Sequence, residues 1–191
     1  MASSKDVSLL ALPLPVILSD PYMTGTIDGL KRTVGELSVA RPIMIDDLYN
    51  ARILEFAGNI SRLGRLDDPD GTAKAHSKLC GSTVIVDLKL KDGVVAEFAH
   101  EVRACALGQA SSAIMARNIV GASPQELRDV HRAMQAMLKA GGAPPGGRFA
   151  DLKYLEPVRD HKARHASTLL TFEAVEAALD MAESDRAGAA A

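Results

Sequence analysis

The chain lacks several features that mark large classes of proteins. It has two cysteines among 191 residues, no tryptophan and only 4% aromatic residues. Two cysteines cannot form the disulfide framework of a small secreted domain, so we expect a reducing, cytoplasmic environment. The formal net charge is −2 and no long run of Lys and Arg offsets it. Nucleic-acid binding is therefore disfavoured.

No apolar run in the sequence is long enough to span a bilayer. The most apolar stretch near the start, residues 7–18, is interrupted by Pro13 and Pro15. A spanning helix needs about 20 apolar residues. No convincing signal-peptide cleavage site follows this stretch, and we therefore expect no membrane association.

The chain divides into three parts by composition and periodicity. Residues 1–43 contain scattered Pro, Gly and Ser without a sustained period, which predicts an irregular, poorly ordered N-terminal extension. Met44 is a candidate for the true start of translation. We predict one domain over residues 44–185, a usual length for a single core, and a flexible tail over residues 186–191.

Helical and strand periods alternate along the predicted domain. A helical stripe opens it, formed by Ile45, Leu48, Ile53, Phe56 and Ile60. The stretch "STVIVDLKL" then alternates, the dipeptide Asp92-Gly93 predicts a tight turn, and a return strand follows with Val94, Ala96, Phe98 and Val102 on one face. By the same alternation His100 falls on this apolar face, and we predict that it is a core residue.

Three further helices are predicted after this hairpin. The small residues after Cys105 suit a closely packed helix that stops at Gly121. Ser123, Pro124 and Glu126 form an N-cap signature with a capping box, and that helix should end at Gly141. His131 is expected on its surface without a role. A last helix is predicted from about Ser167, as N-cap, to about Glu183. The order of elements indicates an α+β fold.

The two cysteines lie at the two ends of the predicted hairpin. Because a hairpin returns its ends to the same side, Cys80 and Cys105 should meet at one edge of the sheet. Cys105 should also begin a helix, whose free N–H groups and dipole favour a thiolate. The alternative is that both are small buried apolar residues, as free cysteines often are.

The segment "LCGSTVIVDLKLKDGVVAEFAHEVRACALGQASSAIMARNIVG" resembles the iron–sulfur cluster scaffold family of IscU, SufU and NifU N-terminal domains. "LYNARILEFAGNISRLGRLDDPD" is similar to the opening helix and loop of that family, and "ARHASTLLTFEAVEAAL" to its closing helix. The long stretch before the closing helix resembles the SufU type most. The resemblance implies a small three-stranded antiparallel sheet packed against several helices.

Two positions depart from the site that the resemblance implies, which has three cysteines and one aspartate. The aspartate position holds Ser82. The third cysteine falls at Ser167 if the closing helix is aligned without a gap, or at Ala166 if His165 is matched to the family's histidine. Serine is a poor metal ligand at neutral pH because its hydroxyl stays protonated.

Other side chains before the closing helix could complete a metal site. Glu156, Asp160, His161 and His165 are candidates, and His165 has the best position because imidazole binds both zinc and iron. The alternative is that these charged residues are simply solvated. The predicted ligands are therefore Cys80, Cys105 and His165.

Three functions follow from the resemblance. We predict a non-enzymatic scaffold or carrier that holds iron and sulfide, or a cluster, on Cys80 and Cys105, with a cysteine desulfurase and cluster-accepting proteins as partners. A cluster bridging a homodimer would supply four thiolates. There are two alternatives. One is a zinc-dependent sulfur acceptor, which would be a sulfurtransferase if the protein is an enzyme, and the other is a degenerate module that only binds partners.

Overall fold

The computed structural model describes residues 50–189. The predicted N-terminal extension and the first two members of the opening stripe, Ile45 and Leu48, lie outside the described residues. Within residues 50–189, no helix is both long and apolar enough to cross a membrane.

The elements follow the predicted order. They are helix α1 (Ala51–Gly58), strands β1 (Gly71–His76), β2 (Thr83–Lys91) and β3 (Val94–Arg103), helices α2 (Ala106–Asn118) and α3 (Pro124–Ala140), a 3-10 segment (Gly147–Asp160) and helix α4 (Lys162–Ala189).

The three strands form one antiparallel sheet in the order β1-β2-β3, which confirms the α+β class. The hairpin between β2 and β3 turns at Asp92 and Gly93, whose φ angles of 52° and 79° are both left-handed. Asp-Gly suits this geometry, because two positive φ angles match the twist of the flanking strands.

A β-bulge on β3 changes which of its residues face the core. The pairing passes from Lys89 opposite Glu97 to Leu90 opposite Val95, so Ala96 is an extra residue. Beyond the bulge the parity is reversed, and Val95 is fully buried. The prediction that Val94 and Ala96 face the core was wrong for this reason, since alternation alone does not reveal an inserted residue.

Helix α4 packs across β1 and β2, while α1 and the 3-10 segment pack against α2. The close approach of α4 to β1 depends on Gly71, where a Cβ atom would overlap the carbonyl oxygen of Ala178. The core is a single cluster on one face of the sheet.

The predicted ends of α3 are confirmed. Ser123 is the N-cap and accepts a hydrogen bond from the Glu126 N–H at 3.1 Å, with Pro124 as the first helical residue. Gly141 ends the helix with a left-handed φ of 70°. The Glu126 carboxylate lies 3.1 Å from Arg148 Nε. It therefore forms an ion pair in place of the bond to the Ser123 N–H that the predicted capping box would contain.

The 3-10 segment has no counterpart among the elements predicted from the sequence. Its buried residues are spaced three apart and are Phe149, Leu152, Leu155 and Val158. A period of three matches the three residues per turn of a 3-10 helix, in which every third side chain falls on the same face. That period is the signal in the sequence that could have identified the segment.

Helix α4 is longer than predicted at both ends. It begins at Lys162, so Ser167 lies inside the helix, where its hydroxyl donates to the Arg164 carbonyl at 3.0 Å. The N-cap assignment of Ser167 was therefore wrong. The helix also continues to Ala189, into the predicted tail.

Asp87 faces away from the core of the sheet but is fully buried. Its carboxylate accepts from Arg65 Nε at 2.6 Å, from the Leu66 N–H at 3.0 Å and from Thr72 Oγ1 at 2.7 Å. Burial alone would raise its pKa, but the hydrogen bonds from Arg65 and Thr72 hold the pKa below its usual value. The chain between α1 and β1 is thereby attached to the outer face of the sheet.

We expect Asp87→Asn to lower the free energy of unfolding at pH 7 by about 2 kcal/mol, because an amide cannot satisfy all of these donors. Urea denaturation measures the loss. Asp68→Asn is the matched control: the Asp68 side chain is 95% exposed, so its change should stay within about 0.5 kcal/mol.

The effect should depend on pH with a defined sign. Because the pKa of Asp87 is lower in the folded state, its contribution is complete above the unfolded pKa of about 3.9 and is lost as the pH falls through the folded value. The stability difference between wild type and Asp87→Asn should therefore shrink in acid. A difference that grows on acidification would contradict this assignment.

Candidate functional site

Cys80 lies in a tight loop between β1 and β2. The Ser77 N–H donates to the Ser82 carbonyl at 2.9 Å, and the Gly81 N–H donates to the Ser77 carbonyl at 2.9 Å. Gly81 has a left-handed φ of 70°, which a side chain would strain. These bonds fix the loop while leaving Cys80 exposed.

Two buried hydroxyls flank the sulfur of Cys80. Cys80 Sγ lies 3.3 Å from Ser77 Oγ and 3.0 Å from Ser82 Oγ, and both serines are only 4% exposed. Once the thiol ionises, both hydroxyls can donate to the sulfur. The hydrogen bonds from Ser77 and Ser82, with a smaller contribution from the charge of Arg164, lower the pKa of Cys80 to about 7.

Cys105 lies two residues beyond the end of β3 and is the N-cap residue of α2, which confirms the prediction that it begins a helix. It is half-buried, and its Sγ lies 3.5 Å from Ser167 Oγ on α4. The two helices come this close because Gly108 has no side chain: a Cβ there would lie 2.9 Å from the Ser167 carbonyl oxygen.

The sheet register brings the two cysteines to one end of the hairpin, as predicted. Thr83 pairs with Arg103, so the loop that carries Cys80 and the residue Cys105 both extend from the same end of the β2–β3 ladder. Helix α4 passes beside this end, since Arg164 lies near enough for its charge to act on Cys80 and Ser167 contacts Cys105.

Serines accompany both cysteines. Ser82, where the resemblance implies an aspartate, lies beside Cys80, and Ser167 lies beside Cys105. Of the two alignments left open for the third cysteine, this contact favours Ser167 over Ala166. The four positions of the implied site therefore form two pairs, each with one thiol and one hydroxyl.

The structure gives His165 another set of contacts. The residue is 9% exposed, and its Nε2 donates to the carbonyls of Val158 and Arg159 at 3.1 and 3.0 Å. Only Nδ1 remains for a ligand, and metal binding by His165 stays a prediction. Among residues 50–189, no three His, Cys, Asp or Glu side chains are arranged to hold a metal ion.

Two of the other histidines have structural contacts. His100 is a core residue as predicted, and its Nε2 lies 3.0 Å from the Ser61 carbonyl. His131 was predicted to be exposed and without a role, but it is 7% exposed and pairs with Glu176. The prediction failed because the packing of α4 against α3 covers this part of the helix, which the sequence of α3 alone does not show.

Two residues near Cys80 were not predicted from the sequence. Ser77 contacts Cys80 only because the loop closes on itself, and Arg164 approaches it from a helix more than eighty residues further along the chain. Neither residue belongs to a recognisable motif, although a serine three residues before Cys80 is a local signal for Ser77.

Comparisons with known proteins place the chain in a family. The model of the NifU-like N-terminal domain matches residues 48–145. A crystal structure of a nitrogen-fixing NifU-like protein (N-terminal) from Brucella abortus is 65% identical, with a TM-score of 0.73 over 74% of this chain and 98% of that chain.

Two more distant relatives agree with this match. The iron-sulfur cluster assembly scaffold protein IscU of Thermotoga maritima is 25% identical over 132 residues, which are 69% of this chain and 92% of that protein. A SufU structure from Fervidobacterium islandicum AW-1 is 19% identical, with a TM-score of 0.65 over 70% of this chain and 98% of that chain. At that identity it shows the shared fold alone.

The hydroxyls beside Cys80 should be detectable by thiol titration of the metal-free protein. In a Cys105→Ser background, the rate of alkylation by iodoacetamide should rise with a midpoint near pH 7, set by the pKa of Cys80 of about 7. Adding Ser77→Ala or Ser82→Ala should move the midpoint upward, towards the ordinary thiol value of about 8.5.

Ser184→Ala is the matched control for these serine changes. Ser184 is exposed and its hydroxyl bonds the Asp180 carbonyl, so its loss should leave the midpoint where it is. Alkylation profiles that coincide in the Ser77→Ala, Ser82→Ala and Ser184→Ala proteins would refute the assigned role of the two loop hydroxyls.

Proposed function

Because the chain belongs to the NifU-like N-terminal domain family of iron–sulfur cluster assembly scaffolds, we propose that it holds iron and sulfide, or a cluster, on Cys80 and Cys105. The observation that carries the proposal is the placement of both thiols at one end of the hairpin. Cys80 lies beside a serine of its own loop, and Cys105 lies beside a serine of α4. In this role the cluster is cargo, and the protein must both bind and release it.

The charge state of Cys80 supports binding of iron. Thiolates, not thiols, are the ligands of iron–sulfur clusters. With its pKa lowered to about 7, Cys80 is substantially ionised near neutral pH before any metal arrives. The Arg164 charge that contributes to this also offsets part of the negative charge of a bound thiolate cluster.

The two serines support transient rather than permanent holding. Protonated hydroxyls are weak ligands for iron, so each chain offers two thiolates where a cluster usually takes four. Two chains that share one cluster would complete the set, which makes a bridged homodimer the proposed loaded form. Fewer strong ligands on each chain also favour release of the cluster to an acceptor.

This role implies two kinds of partner. Sulfide must come from a sulfur donor, and we propose a cysteine desulfurase, with cluster-accepting proteins taking the product. We propose a cytoplasmic location. The zinc-dependent sulfur acceptor is not favoured, because zinc normally takes four ligands and residues 50–189 bring no three suitable side chains together.

Iron, zinc and acid-labile sulfide should be measured in full-length protein purified and reconstituted without oxygen. We expect iron and sulfide in near-equal amounts, reduced at least tenfold in Cys80→Ser and in Cys105→Ser, because each variant loses half of the thiolates of its chain. Leu79→Ala is the matched control: Leu79 precedes Cys80 and is 78% exposed, so its loss should leave both contents unchanged.

The possible results separate the proposal from its alternatives. Zinc without sulfide, lost in the cysteine variants, would favour sulfur transfer. A wild-type protein that takes up neither metal nor sulfide would leave the degenerate partner-binding module.

Ser167→Cys should strengthen retention of the cluster. The new thiol would lie next to Cys105, at the place where Ser167 Oγ is now 3.5 Å from Cys105 Sγ. Three thiolates hold iron more tightly than two, so the rate at which a chelator removes the cluster should fall about tenfold. This corresponds to an increase of about 1.4 kcal/mol in the activation free energy of removal. The decay of the visible absorbance measures this rate.

Ser184→Cys controls for the addition of any thiol to α4, since Ser184 is exposed near its far end. An equal gain in retention from Ser184→Cys would mean that the added thiol acts without regard to position, and would count against a cluster site at Cys105.

A further inference from the structure

A cavity of about 450 Å³ opens where the end of α3, the end of the 3-10 segment and the start of α4 meet. Its wall contains four basic side chains and no carboxylate, and is formed by Leu138, Lys139, Gly141, Arg159, Lys162 and His165. Neither cysteine lines this cavity, so any ligand that it binds is separate from the thiol site.

The positive charge of this wall is largely unbalanced within the described chain. Arg159 is held by Glu156 at 2.7 Å and by the Met137 carbonyl at 3.1 Å. Lys139 and Lys162, in contrast, form no salt bridge with any carboxylate of residues 50–189. Two ammonium groups of the cavity are therefore available to an anion.

The start of α4 adds to this positive field. A helix N-terminus carries a partial positive charge and usually has Asp or Glu in its first turn. The first turn of α4 has no acidic residue and begins with Lys162. Such an arrangement disfavours the free helix, and an anion bound at this end would offset both the lysine charge and the helix dipole.

His165 gives the cavity a second, independent polar group. It is about nine-tenths buried, and both hydrogen bonds of Nε2 go to backbone carbonyls, so Nε2 carries the proton. Within residues 50–189, Nδ1 has no hydrogen-bond partner. In the neutral ring Nδ1 is an acceptor, so the matching ligand is an anion that also carries a hydroxyl.

We propose that this cavity binds inorganic phosphate, which keeps at least one P–OH group at neutral pH. The ammonium groups of Lys139 and Lys162 bind its charged oxygens, and its P–OH group donates to Nδ1 of His165. Sulfate has a similar size and charge but carries no proton at neutral pH.

Isothermal titration of the full-length, metal-free protein at pH 7 and constant ionic strength tests the site. Inorganic phosphate should bind at least threefold more tightly than sulfate. The double variant Lys139→Gln, Lys162→Gln should weaken phosphate binding at least tenfold. Lys91→Gln, which changes an exposed lysine of the hairpin turn, is the matched control and should leave the affinity unchanged.

A third probe tests the contact of the P–OH group. The second pKa of a phosphate monoester is about 6, so phenyl phosphate is mostly a dianion without a P–OH group at pH 7 and should bind no more tightly than sulfate. Phenyl phosphate binding more tightly than inorganic phosphate would overturn the proposed hydrogen bond to His165.

The role of His165 has its own measurement, which does not depend on cluster binding. His165→Phe should remove the preference for phosphate over sulfate while sulfate affinity stays as in wild type, a pattern that a folding defect would not produce. Equal affinities for phosphate and sulfate in the wild-type protein, or a phosphate affinity unaffected by the two lysine substitutions, would overturn the proposal.

Discussion

The pairing of β2 with β3 is the constraint on which the rest of the structure depends. Its register, with Thr83 opposite Arg103, determines that the loop of Cys80 and the N-cap of α2 extend from the same end of the sheet. A slip of one residue would turn Val84, Val86 and Leu88 away from the core. Burial of these side chains therefore holds the thiol site in place, although none of them belongs to it.

Helix α4 provides the second wall of the site. It can lie close to the sheet and to α2 because glycines stand at the two points of contact, Gly71 and Gly108. Through this packing one helix face brings Arg164 and Ser167 to the two thiols, while Lys162 and His165 line the neighbouring cavity. The same short stretch thus forms part of two separate polar environments.

The thiol site combines a rigidly positioned loop with two thiols that are each accompanied by a hydroxyl. The loop from Ser77 to Ser82 is closed by backbone hydrogen bonds, and its buried hydroxyls favour the charged form of Cys80. In the proposed role, the hydroxyls of Ser82 and Ser167 would occupy places where stronger ligands would retain a cluster. A preformed pair of thiols with few further ligands would suit the release that we propose.

Local signals in the sequence determined the hairpin, its Asp-Gly turn and the cap of α3 at Ser123, because each depends on residues close together in the chain. The hairpin in turn determined that the two cysteines lie at the same end of the sheet. Only the tertiary structure decided the burial of Asp87 and His131, the start of α4 at Lys162, the contact of Ser167 with Cys105 and the approach of Arg164 to Cys80. These features arise where segments distant in the sequence pack together. The burial, hydrogen bonding and charge at such contacts depend on both segments, so the periodicity of either segment alone does not reveal them.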